Sequence, residues 1–106
     1  QGGGRIVNVA ARAALAGVSG LGAYGASKSA VIYLTQTLAA ELKDQGINVN
    51  CVLPGTIDTP QNRHDMPQAD FAKWVAPAAI ADAILFLASD AARAVTGAAL
   101  PVYGRS

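Results

Sequence analysis

The chain has 106 residues, 52% hydrophobic and 14% charged, with a formal net charge of +1. This is one domain or part of one, richer in apolar side chains than a small free-standing domain needs, so burial on both faces of a sheet is expected. The near-neutral balance excludes a basic surface for nucleic acid and an acidic tail.

In chain order, Arg5 to Ala10 is β-branched and largely apolar, the pattern of a strand buried in a parallel sheet. A loop rich in Ala and Gly runs to Gly22. From Tyr24 to Lys43 the apolar positions Val31, Leu34, Leu38 and Leu42 recur at three- and four-residue intervals, which predicts one long helix, closed by Gly46 in a left-handed conformation. Ile47 to Leu53 is a second strand, ended by Pro54-Gly55, so strand, helix and strand form a βαβ unit. Thr56 to Ala69, with Pro60 and Pro67, reads as a long loop of the kind that serves as a lid or is disordered. Asp70 is placed to cap a short turn holding Phe71 and Trp74. Pro77 then opens a helix with Ile80, Ile84 and Leu87 on one stripe. Ala98 to Tyr103 is a third strand, and Pro101, lacking a backbone donor, assigns it to a sheet edge. The 23 alanines suit close packing of helices on the sheet. Cys51, the single cysteine, excludes an internal disulfide and is expected to be a buried structural thiol, in keeping with a reducing cytoplasm. No signal peptide is evident, and the most apolar helix contains Asp82 and is too short for a bilayer, so no membrane partner is expected.

The chemistry centres on Tyr24 and Lys28. At spacing i, i+4 both lie on one helix face. A lysine ammonium beside a phenol stabilises the phenolate and makes a tyrosine usable as an acid or base near neutrality. Taken alone, the pair reads as a surface tyrosine and lysine on an ordinary amphipathic helix. Gly20-x-Gly22-x-x-Gly25 satisfies a dinucleotide-binding pattern, but the pattern requires a strand ending immediately before it, and the first strand ends about ten residues earlier by its own pattern. These glycines are read as loop. His64 is the only histidine, without a second ligand or a nucleophile elbow, and reads as a solvated loop residue; no metal site is expected.

Four segments, in order, resemble the short-chain dehydrogenase/reductase family. Arg5-Ile6-Val7-Asn8-Val9 resembles the strand leading to its active site, and Tyr24-Gly25-Ala26-Ser27-Lys28 its Tyr-x-x-x-Lys motif. Ile47 to Gly55 resembles the strand ending in its Pro-Gly turn. Leu85 to Asp90 with Val95-Thr96-Gly97 resembles its closing helix and turn. The resemblance implies an α/β fold, a partial doubly wound, Rossmann-like parallel sheet of about three strands with flanking helices. It covers only the second half of such an enzyme: the family's Thr-Gly-x-x-x-Gly-x-Gly turn and Asn-Asn-Ala-Gly strand do not occur here. Residues 1–106 are therefore expected to be the catalytic half of the domain, without the dinucleotide-binding half.

The resemblance further implies NAD or NADP as cofactor, bound weakly by this piece, and a small-molecule substrate. Tyr24 and Lys28 would be catalytic, with Lys28 also on the nicotinamide ribose. Ile57 and Thr59 would hold the nicotinamide carboxamide, and Pro54 and Gly55 of the preceding turn would also be cofactor-binding. The family's third catalytic group, a serine thirteen residues before the tyrosine, is Ala11 here. Loss of such a donor costs a carbonyl reductase roughly 10²–10³ in rate, so the substrate either reacts poorly or needs no such donor; Ser19 is a weak substitute. The segment Leu53 to Trp74, above all Asp58-Thr59-Pro60, Asn62-Arg63, Met66-Pro67 and Ala69-Asp70-Phe71, is similar to the lid of the quinonoid dihydropteridine reductases, which also lack the serine. A non-enzymatic alternative is a packing or assembly module. In either case a homo-oligomer, or pairing with the missing half, is expected, through the edge of the first strand and the Val31, Leu34, Leu38 face.

Overall fold

The computed structural model describes residues 3–15 and 19–106. The start of the chain at Gln1-Gly2 and residues 16–18 of the Ala- and Gly-rich loop lie outside them. Three strands, β1 (Gly4–Val9), β2 (Ile47–Pro54) and β3 (Ala99–Val102), form one parallel sheet in the order β1-β2-β3. Helix α1 (Gly22–Leu42) crosses from β1 to β2, and α3 (Pro77–Leu87) leads toward β3. The central strand is buried from Val49 to Pro54 and fixes the layers by alternation. Val52 packs with Val75, Ile80 and Leu87 on the α3 side, while Cys51 and Leu53 pack with Ala10, Val31 and Ile32 on the α1 side. β3 is an edge strand, as Pro101 requires.

Gly46 takes φ 73° and ends the turn Lys43–Gln45 that follows α1, the left-handed closure its position predicts. Helix α1 meets the sheet with only part of its Val31, Leu34, Leu38 and Leu42 stripe, Val31 packing on the Cys51 and Leu53 side. Its fully buried residues are Thr35 and Ala39, small enough for close approach, and Leu34 is 56% exposed. The Thr35 hydroxyl accepts from Asn8 Nδ2 at 3.0 Å and donates to the Val31 carbonyl at 2.7 Å, so a buried polar group is fully paired. Burial pushes the Cys51 thiol above its ordinary range, against a smaller opposing hydrogen bond with Thr35.

The stretch expected to be one long loop contains a helix, α2 (Pro60–Asp65). It has no apolar stripe to announce it. Its start is set by local chemistry: Thr59 Oγ1 accepts from the Asn62 amide at 3.1 Å and Pro60 supplies a preset first turn. Asp70 caps the turn Phe71–Lys73 as expected, accepting from the Ala72 amide. Among the described residues no helix is long and apolar enough to cross a membrane.

Candidate active site

The site forms where β1 and β2 end. Ala10 is tied to the central strand by its amide, which donates to the Val52 carbonyl at 2.8 Å, and the chain then turns through Arg12–Ala14. The Ser29 hydroxyl donates to the Ala14 carbonyl at 2.8 Å and holds the first turns of α1 against that segment. Tyr24 is thereby brought to Ala11 and to the end of β2. Ala11, Arg12, Tyr24, Pro54, Gly55 and Thr56 line one open cavity of about 260 Å³. Lys28 Nζ stands 5.7 Å from the Tyr24 ring centroid, one helical turn on, so the i, i+4 pair is a spatial pair. Tyr24 is half-exposed and its phenol can be approached from solvent.

Sequence reasoning passed over Arg12. Its guanidinium lies 4.1 Å over the Tyr103 ring, and Nη2 donates to Ser106 Oγ at 2.7 Å and to the Ser106 carbonyl at 3.2 Å. A Cβ on Gly55 would collide with Arg12 Nη2 and come within 3.2 Å of Tyr103 Cα and Ser106 Oγ. The glycine of the Pro-Gly turn is therefore what lets the arginine lie across the end of β2. The available signal was that Arg12 is the only charged residue between Arg5 and Lys28. Ser19 is exposed in the turn before α1 and does not line the cavity; the hydroxyl that does, besides that of Tyr24, belongs to Thr56.

Ile57 and Thr59 lie on the segment between β2 and α2. Ile57 bridges Val75, with the Asp58 amide donating to the Val75 carbonyl at 2.8 Å and the Val75 amide to the Thr56 carbonyl at 3.0 Å. The Ile57 carbonyl accepts from Asn62 Nδ2 at 2.8 Å, while its amide has no partner among the described residues. Thr59 uses its oxygen as an acceptor, which leaves the O–H free to donate. Arg63 grips Asp58 with two bonds of 2.7 and 2.9 Å and stacks 4.6 Å over Phe71, which meets Trp74 at 4.9 Å between ring centroids. The hydrogen bond from Arg63 holds the Asp58 carboxyl below its ordinary range. Asn62, Arg63 and Trp74 thus anchor the segment after β2 to itself. His64 is exposed on α2, and among the described residues no group of three or more His, Cys, Asp or Glu side chains converges.

The sequence model of the Enoyl-(Acyl carrier protein) reductase family matches residues 1–104. The structure superposes with a TM-score of 0.90 on a short-chain type dehydrogenase/reductase from Mycobacterium ulcerans, 33% identical, covering 98% of this chain and 42% of that one. The chain belongs to the short-chain dehydrogenase/reductase family. It is 39% identical to 2-(R)-hydroxypropyl-CoM dehydrogenase of Xanthobacter autotrophicus, over 98% of this chain and 46% of that protein. A 4-hydroxyisoleucine dehydrogenase complexed with NADH is 36% identical, with a TM-score of 0.81 over 94% of this chain and 44% of that one. The chain spans about half the length of the curated relatives it matches. Within the short-chain dehydrogenase/reductase frame, the three-stranded parallel sheet and the Tyr24–Lys28 pair at its carboxyl end occupy the place where open α/β sheets bind ligands.

Proposed function

We propose that this chain carries the proton-transfer and nicotinamide-facing residues of an NAD(P)-dependent oxidoreductase that reduces a small carbonyl or quinonoid compound. The observation that carries this reading is the placement of Tyr24, with Lys28 one turn away, on a cavity closed by the Pro54-Gly55 turn. The residues present fit the nicotinamide half of the cofactor. The unpaired Ile57 amide and the free Thr59 O–H suit a carboxamide, and the Lys28 ammonium suits ribose hydroxyls. A nicotinamide bound there supplies the hydride. Tyr24 donates the proton to the substrate oxygen or nitrogen as hydride arrives at the adjoining carbon, and Lys28 offsets the charge left on the phenol oxygen.

Ala11 lines the cavity and offers no hydroxyl to a developing oxyanion. This favours an acceptor that rearomatises on taking hydride, a quinonoid ring of the dihydropteridine type, over an unactivated ketone. The sequence likeness of Leu53 to Trp74 to the lid of the dihydropteridine reductases supports the same substrate class.

The test is NAD(P)H oxidation with quinonoid dihydropterin and with simple ketones as acceptors, in the protein that carries this chain. Tyr24→Phe is expected to abolish turnover, and Lys28→Ala to lower both turnover and cofactor affinity; an unchanged rate in Tyr24→Phe rejects the mechanism. The alternative, a packing module without catalysis, draws on the exposed apolar residues Ile6, Val9 and Leu34. The 106-residue chain by itself is expected to bind NADH more weakly than micromolar, since its contacts serve the nicotinamide end alone.

A further inference from the structure

The cavity beside Tyr24 has mainly apolar walls, Ala11, Ala13, Leu21, Pro54 and Gly55, and Arg12, which also lines it, directs its guanidinium to the Tyr103 ring and to Ser106. The hydroxyls around the site are mostly committed. That of Ser29 donates to the Ala14 carbonyl, that of Ser106 donates to the Tyr103 carbonyl, and that of Thr59 accepts from the Asn62 amide and does not line the cavity. Thr56 differs from these. Its hydroxyl makes no hydrogen bond among the described residues, and the only enclosed side-chain polar atom without a partner there is Arg12 Nε, so the Thr56 oxygen is open to the cavity. The backbone that carries it is held on both sides. The Gly55 amide donates to the Val102 carbonyl at 3.0 Å, and the Thr56 carbonyl accepts from the Val75 amide at 3.0 Å. Thr56 thus offers a free donor from just beyond the end of β2, while Tyr24 offers its phenol from α1, and a ligand in the cavity meets both.

We propose that Thr56 is a specificity-determining residue: its hydroxyl donates to a ring carbonyl of the acceptor, a cyclic amide of the pyrimidinone kind, and holds the ring while Tyr24 protonates it. The conversion of such a ring rests on the oxidoreductase reading above; its binding does not. Thr56 transfers nothing itself, since the ring takes a hydride from the nicotinamide and a proton from Tyr24. A quinonoid ring needs little help at the reacting atom, but among apolar walls it must be turned the right way round, and one directional donor does that. A ring without the carbonyl gives this donor no such acceptor. A valine in place of Thr56 would set a methyl group against the carbonyl and leave it unpaired.

The experiment is a fluorescence titration of the protein that carries this chain with 6-methylpterin, which has the ring carbonyl, and with 2-aminopteridine, which lacks it. 6-Methylpterin is expected to bind roughly three- to thirtyfold more tightly. Thr56→Val and Thr56→Ala, both without the hydroxyl, should lose that margin, and Thr56→Ser should keep it. Equal binding of the two rings by the unaltered protein, or binding of neither, overturns the assignment without any variant. So does a margin that survives Thr56→Val and Thr56→Ala, or one lost in Thr56→Ser. In NAD(P)H oxidation with quinonoid dihydropterin, Thr56→Val should raise the KM of the acceptor by a similar factor and leave that of NAD(P)H unchanged. A hydroxyl-dependent margin without NAD(P)H oxidation counts against the oxidoreductase reading alone. Oxidation whose acceptor KM is the same in Thr56→Val counts against Thr56 alone.

Discussion

Gly55 and Arg12 are interdependent, because the space a side chain would take at one is filled by the guanidinium of the other. Gly55→Ala is therefore expected to destabilise by about 1–3 kcal/mol, the usual cost of overpacking. Most of that loss should be recovered when Arg12 is shortened in the same chain. Urea unfolding of the two single variants and the double variant measures the coupling, and strictly additive losses would show that the two do not share the space. Asp58 gives a pH-dependent counterpart. Its carboxyl is held below the ordinary value of 3.8 by the hydrogen bond from Arg63. The folded chain therefore binds that proton less readily than the unfolded one, and the contribution is complete above the ordinary value. It is lost as the pH falls through the depressed one. Carbon NMR titration of Asp58 should show its midpoint rise toward 3.8 in Arg63→Gln. An unmoved midpoint would mean that the ion pair does not form in solution.

The elements that could be read from the sequence are those whose residues answer to the sheet. β2, α1, the Gly46 closure and the Ile80, Ile84, Leu87 stripe of α3 follow from apolar periodicity and from glycine and proline placement. α2 was hidden because six residues capped by Thr59 and tied by Asn62 and Arg63 need no apolar face. The burial of Thr35 and Ala39 on α1 could not be read from hydrophobic spacing, which favours large side chains. Tyr24 and Lys28 were legible because their spacing is itself the geometry. Arg12 was not, because its role depends on Tyr103 and Ser106, more than ninety residues away. Removing the cap with Thr59→Ala should cost about 1 kcal/mol and loosen α2. Faster amide exchange at Asn62 and Arg63, with the sheet unaffected, is the expected signature, and unchanged exchange at both would deny the cap its role.

Among the described residues β1 has a neighbour on one side only, with Ile6 39% and Val9 47% exposed, beside a groove lined by Asn8 and Val9 of β1 and Val31, Leu34 and Leu38 of α1. Full burial of one such large side chain is worth about 1.5–3 kcal/mol, a large part of the roughly 5–15 kcal/mol that holds a domain together. An assembly that covers this edge and groove is expected at micromolar concentration, and sedimentation showing a stable, cooperatively folding monomer there would exclude it. The central position of β2 has a further consequence, for the order in which the chain can fold. Gly4 finds its partner Ile47 across 43 residues, and Cys51 finds Ala99 across 48. No strand of the sheet has a neighbour nearby in sequence, so each ladder must wait until a long loop has closed. Helices α1 and α3 shorten those loops as they form. The chain should therefore be helical before it has a sheet, and the cavity, built where two strands end, should be among the last features to appear.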